Sequence, residues 1–131
     1  MPNLEGELSG RLAVVTGASR GIGEAIALEL GQAGAQVVGT ATTAEAVEAI
    51  AANLAAHDIE GFGVEMNFLT LGEDEYAERI AQIVDVAGSA VSILVNNAGI
   101  RRDALSVKME PWQVTEVIKV DLIAPILLTN A

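Results

Sequence analysis

Apolar residues fall along this chain in two alternating kinds of run. Leu12-Ala13-Val14-Val15-Thr16, Gln36-Val37-Val38-Gly39-Thr40 and Val91-Ser92-Ile93-Leu94-Val95 are short, nearly continuous and rich in β-branched residues. That is the pattern of strands buried on both faces. A further run near Phe62 to Met66 is shorter and flanked by glycines, and reads as the third strand in chain order. Between these runs the apolar residues recur at helical spacing. Ile22, Ile26 and Leu30 do so after the first strand, with Ala25 and Ala33 at neighbouring positions and Gly34 as the stop. Thr43 is placed as the N-cap of an alanine-rich helix running to about Ala56. Tyr76, Ile80, Ile83, Val84 and Ala87 line one face of the next helix. Pro111 opens a last helix carrying Trp112, Val114, Val117, Ile118, Leu122 and Ile126. Proline suits that first helical position because its missing N–H would have no partner there.

Strand and helix in alternation predict a parallel sheet with right-handed crossovers and helices on both faces. No linker, low-complexity tract or internal repeat divides residues 1–131, so a single α/β domain is expected.

Composition narrows the chemistry. There is no cysteine, which excludes disulfides, thiolate metal sites and a cysteine nucleophile. The one histidine, His57, cannot form a histidine metal cluster, and in His57-Asp58-Ile59-Glu60 it reads as a solvated residue at a helix end; no metal site is expected. Lys and Arg number 7 against 18 Asp and Glu, a formal charge of −11. Such a chain repels phosphate backbones, and with no basic stripe it is not expected to bind nucleic acid. No apolar run is long enough to span a bilayer. The acidic start, Met1-Pro2-Asn3-Leu4-Glu5-Gly6-Glu7, has no apolar core and is no signal peptide, so the expected location is the cytoplasm.

The first strand runs into Thr16-Gly17-Ala18-Ser19-Arg20-Gly21-Ile22-Gly23. Gly17 allows a sharp turn off the strand, Gly21 lets backbone approach a pyrophosphate, and Gly23 lets the helix pack tightly on the sheet. Unpaired N–H groups at the helix start then face the phosphates, aided by the helix dipole. Glycines also mark ordinary turns, but here they stand between a strand and a helix, the context that dinucleotide binding requires.

Thr-Gly-x-x-x-Gly-x-Gly resembles the loop of the short-chain dehydrogenase/reductase family. Asn96-Asn97-Ala98-Gly99, at the end of the strand from Val91, resembles that family's second signature. The resemblance is closer to the β-ketoacyl-acyl-carrier-protein reductase branch. Gly39-Thr40-Ala41-Thr42 is similar to its second strand end, and Arg101-Arg102-Asp103-Ala104-Leu105 with Lys108-Met109 is similar to its Arg-Asp-x-Leu and basic-Met pattern. The likeness covers nearly all of the chain after Leu8. It implies a Rossmann-type doubly wound parallel sheet of strand order 3-2-1-4, interrupted before a fifth strand. It also implies NADPH-dependent reduction of a 3-oxoacyl thioester, a carrier-bound or small-molecule acyl substrate, and a homo-oligomer, commonly a tetramer formed through the last helix. The cofactor residues implied are Gly17, Ala18, Ser19, Arg20, Gly21, Ile22 and Gly23, with Asn97, Ala98 and Gly99 opposite.

An acidic residue at the end of the second strand would accept from an unphosphorylated ribose. The chain has Thr40-Ala41-Thr42 there and no carboxylate before Glu45. The hydroxyl of Thr42 can donate to a 2′-phosphate and Arg20 can pair with it, so NADP(H) is the expected cofactor. The alternative for Arg20 is a solvated surface arginine. Asn67-Phe68 resembles the family's adenine-contacting pair, and a strand-end turn with a core phenylalanine explains the two residues equally.

For proton delivery the family uses a Ser, a Tyr and a Lys four residues after the Tyr, all following strands five and six, with an Asn on the preceding helix. The one tyrosine here, Tyr76, lies on an earlier helix, and Ile80 stands four residues on. The helix Asn aligns with Asp121, whose side chain loses the amide donors and adds a charge; an exposed helix carboxylate is the plain alternative. Leu127-Leu128-Thr129-Asn130-Ala131 carries no helix-stop signal, and the fourth strand would lack a neighbour. The expectation is the N-terminal half of such a reductase, inactive alone. A non-catalytic nucleotide-binding or assembly module is the competing reading. Arg101, Arg102 and Lys108 could approach an acidic acyl carrier protein, although exposed loop cations need no such partner.

Overall fold

The computed structural model describes residues 6–99 and 108–131. Arg101, Arg102 and the Arg-Asp-x-Leu stretch lie outside the described residues; Lys108 is described and exposed. Strand β1 (Leu12–Val15) leads to helix α1 (Gly21–Gln32), then β2 (Gln36–Ala41), α2 (Ala44–Ala56), β3 (Gly61–Glu65), α3 (Glu75–Ala87) and β4 (Val91–Val95). A final helical stretch follows: α4 (Pro111–Ile118), a π-helical turn (Lys119–Ile123) and α5 (Ala124–Asn130).

The four strands form one sheet in the order β3-β2-β1-β4, every neighbouring pair parallel. The pleat sorts the side chains. Leu12, Val14 and Val38 join a core with Met66, Tyr76, Ile83 and Leu128, so that α3 and α5 cover one face. Val15 and Val37 point the other way, to Ala27, Ile50 and Leu54 of α1 and α2. β1 is buried along its whole length, whereas β4 pairs with β1 alone among the described residues and stays half-covered. The β1–β4 register slips between Leu12 and Ala13, where the Leu12 N–H donates to Ser92 Oγ at 3.2 Å.

Local chemistry explains the helix ends. Thr43 Oγ1 accepts from the Ala46 N–H at 3.2 Å, the cap expected at the start of α2. His57 sits exposed at the other end of that helix, its Nδ1 2.8 Å from the Asn53 carbonyl oxygen. α4 opens on Pro111, with Glu110 and Gln113 capping one another reciprocally.

The last helix departs from the expected single run. Pro125 has no N–H, and in a regular α-helix its ring would meet the carbonyl of residue 121, four positions back. The chain widens into the π turn immediately before it, with the Ala124 N–H donating to the Lys119 carbonyl five residues back. Trp112, Leu122 and Ile126, carried by this helical stretch, are each more than half exposed. Among the described residues, no helix is long and apolar enough to cross a membrane.

Candidate functional site

In an open parallel sheet, ligands lie outside the carboxyl ends of the strands, where the strand order reverses. Here the reversal falls between β1 and β4, and a groove of about 480 Å³ opens at that place.

Its floor is set by a mutual lock between the two loops leaving those strands. Thr16, 2% exposed, turns its Oγ1 inward to accept from the N–H groups of Asn97 at 3.0 Å and Ala98 at 2.9 Å. Asn97 returns the contact, its Nδ2 donating to the carbonyls of Thr16 at 3.2 Å and Gly17 at 3.1 Å. β2 fastens the same loop from the other side: the Gly17 N–H donates to Thr40 Oγ1 at 3.3 Å and the Ala18 N–H to the Thr40 carbonyl at 3.0 Å. The amide hydrogens of Asn97 are thus spent on the chain itself, and its part in the site is to hold the loop.

The glycines separate by role. Gly17 and Gly21 adopt positive φ, +64° and +61°, which a side chain would strain. A Cβ on Gly21 would meet no atom within 4 Å, so bare backbone there faces open space. Gly23 is the reverse. A Cβ there would strike the Gly17 carbonyl oxygen and come within 2.5 Å of Asn97 Nδ2. Its bareness admits the neighbouring loops rather than the sheet.

Among the expected cofactor residues, Gly17, Ser19, Arg20, Gly21 and Ile22 line the groove on one side, with Thr42 on the rim. Asn67 and Phe68 line its far wall, and Asn97, Ala98 and Gly99 its near one. Ala18 and Gly23 are buried beneath the loop and do not line it. Asp121 lies just outside, its Oδ1 3.3 Å from where a Cβ on Gly99 would stand. The motifs contain Thr16 and Thr40 without giving either a role, and do not reach Met66, Leu69 or Val120. A hydroxyl residue just past β1 and another at the penultimate position of β2 are the further signals for the first two.

Charge sets the groove apart. Arg20 is the only charged residue among its described lining residues, in a chain of net charge −11. Arg20 is also the N-cap of α1 and offers no side-chain cap, so the unpaired N–H groups of that helix's first turn remain for an acceptor from outside. The groove can accordingly receive an anion, flanked by apolar walls from Ile22, Met66 and Phe68.

Tyr76 takes no part in this chemistry. It is 3% exposed and stacks parallel on Phe68, ring centres 6.2 Å apart, with no hydrogen-bond partner for its hydroxyl. Burial pushes its pKa up and Glu73 adds to the effect, so it keeps its proton.

A family model described as short chain dehydrogenase matches residues 11–131. The 3-oxoacyl-[acyl-carrier-protein] reductase of Pseudomonas aeruginosa is 45% identical over 115 residues, which cover 88% of this chain and 45% of that protein. The reductase of the same name from Aquifex aeolicus is 41% identical over 129 residues, covering 97% of this chain and 50% of its own length. The chain therefore spans about half the length of the curated relatives it matches. A metagenomic short-chain oxidoreductase solved in complex with NADP superposes with a TM-score of 0.85 at 38% identity, over 95% of this chain and 55% of that one.

Proposed function

The chain belongs to the short-chain dehydrogenase family, and from that premise we propose that its groove holds NADP(H) and that the whole protein reduces a 3-oxoacyl thioester to the 3-hydroxyacyl thioester. The observation that carries this reading is the groove's charge: one cation, Arg20, and the Thr42 hydroxyl line it, with no carboxylate among its described lining residues. A 2′-phosphate is the part of NADP(H) that such a corner suits. The NADP complex of the metagenomic relative and the names of the two bacterial reductases support the cofactor and the substrate class.

The residues present fit a dinucleotide. A pyrophosphate needs backbone N–H groups at close range with no Cβ in between, and the open space over Gly21 meets that need. The stretch Gly17 to Ile22 would hold the pyrophosphate, Arg20 and Thr42 the 2′-phosphate, Asn67 and Phe68 the adenine, and Ala98 and Gly99 the remaining end. NADPH bound there supplies the hydride for a carbonyl. The chain's own contribution is binding and orientation, with Thr16 and Asn97 keeping the two loops in register. The family's proton-delivering Ser, Tyr and Lys follow strands five and six, and this chain, which spans about half the length of its relatives, is assigned the cofactor's part. Asp121, beside Gly99, stands at the family's helix Asn position and contributes a charge where an amide is usual.

Arg20→Ala tests this assignment. Fluorescence titration is expected to show NADPH affinity falling roughly five- to tenfold, the loss of one partly solvated charge-assisted contact. NADH affinity should stay within about twofold, since no phosphate is lost. Equal losses for both cofactors, or equal affinities in the unaltered chain, would remove Arg20 from the role.

A further inference from the structure

Lys119 opens the π turn, and its Nζ donates to the Leu69 carbonyl at 2.7 Å, a contact between residues 50 positions apart. Leu69 belongs to the short turn that follows β3. That turn is bonded to itself: the Leu69 N–H donates to Asn67 Oδ1 at 3.0 Å, and the Leu71 N–H to the Asn67 carbonyl at 3.0 Å. Asn67 and Phe68, the first two residues of the turn, form the far wall of the groove.

Behind the wall lie a buried ring and a second cavity. Phe68, buried in the core, borders the groove and stacks on Tyr76, and Tyr76 lines a second cavity of about 360 Å³, together with Glu73 and Lys119. Both rings belong to the buried core with Met66, Leu71 and Ile83, so packing seats the side chains, while the Lys119 bond ties the backbone of the turn to the helix. Val120, next in the chain after Lys119, lines the groove itself. One turn of helix therefore presents an apolar side chain to the groove and an ammonium to the turn across from it.

We infer that Lys119 is a positioning residue for the adenosine half of the groove, fixing the turn at 67–71 against the π turn so that Asn67 and Phe68 stand where a purine would lie. The inference rests on the dinucleotide reading of the groove. The ammonium acts through the Leu69 carbonyl and does not touch the ligand. A charged donor to a half-buried carbonyl is stronger than a neutral one, and a methionine of similar length keeps the stem while deleting the bond.

The test titrates the chain with adenosine 2′,5′-bisphosphate, which needs the far wall, and with inorganic pyrophosphate, which needs the glycine loop alone. Lys119→Met is expected to weaken the bisphosphate roughly three- to tenfold and leave pyrophosphate unchanged, with Lys119→Arg restoring bisphosphate affinity to within about twofold. Lys119→Leu carries the same expectations as Lys119→Met if the latter does not fold. Unchanged bisphosphate binding in the variant, failure of Lys119→Arg to restore it, or an equal loss for pyrophosphate would each overturn the inference. If the unaltered chain binds neither probe, the groove reading itself fails.

Discussion

Replacing Gly23 by alanine is expected to destabilise the chain by at least about 3 kcal/mol and to abolish NADPH binding, as measured by urea unfolding and fluorescence titration. The new methyl would strike the Gly17 carbonyl oxygen and stand 2.5 Å from Asn97 Nδ2. Neither neighbour can yield cheaply. The Gly17 carbonyl accepts from Asn97, and the Gly17 N–H is bonded to Thr40 on the other side. Moving Gly17 therefore breaks the contacts that hold the loop to β2 and β4 together. Gly72→Ala is the control: its methyl would meet only the Glu75 carboxylate at 3.1 Å, the far end of a flexible side chain, so a smaller loss and intact binding are expected. Equal effects of the two substitutions would mean that the Gly23 contact is not special.

The second large effect is expected at Thr16. Thr16→Val keeps the shape of a β-branched strand residue and deletes one acceptor, leaving the N–H groups of Asn97 and Ala98 without their partner. Each stranded donor costs about 1–3 kcal/mol when water cannot reach it. Both loop residues are half-covered, so a total near 2–3 kcal/mol is expected. The loop at Asn97 to Gly99 is then tied to the end of β1 only through the Asn97 side chain, and NADPH affinity should fall roughly tenfold. Thr16→Ser retains the acceptor and should stay near the unaltered chain in both unfolding and binding. If Thr16→Val behaved like Thr16→Ser, the hydroxyl would not be what joins the loops.

Much of the architecture was legible because it depends on local pattern. Continuous apolar runs marked β1, β2 and β4, since strands buried on both faces have no polar side to alternate. The glycine loop was readable because two of its positions need positive φ and a third needs the absence of a Cβ, three demands that glycine alone meets. Thr43 announced α2 by its capping chemistry.

Features that join distant residues were less legible. Thr16 is seen in sequence as the last residue of an apolar run, and its two accepted bonds come from positions more than 80 residues away. Lys119 looks like an exposed helix cation until the fold brings Leu69 to it. The π turn did have a local signal in Pro125, because a proline within a helical pattern deletes a bond to the residue four back. The regular spacing of Leu122 and Ile126 masked it. Both side chains lie more than half exposed.

The cofactor assignment ultimately depends on whether NADPH enters the groove between β1 and β4. Titrating NADPH into the isotope-labelled chain while following backbone amide shifts by NMR tests that most directly. Saturable shifts are expected at Gly17, Gly21, Ile22, Asn67 and Gly99, with little change around Glu73 and Leu127 in the second cavity. No saturable shift, or shifts confined to the second cavity, would contradict the assignment.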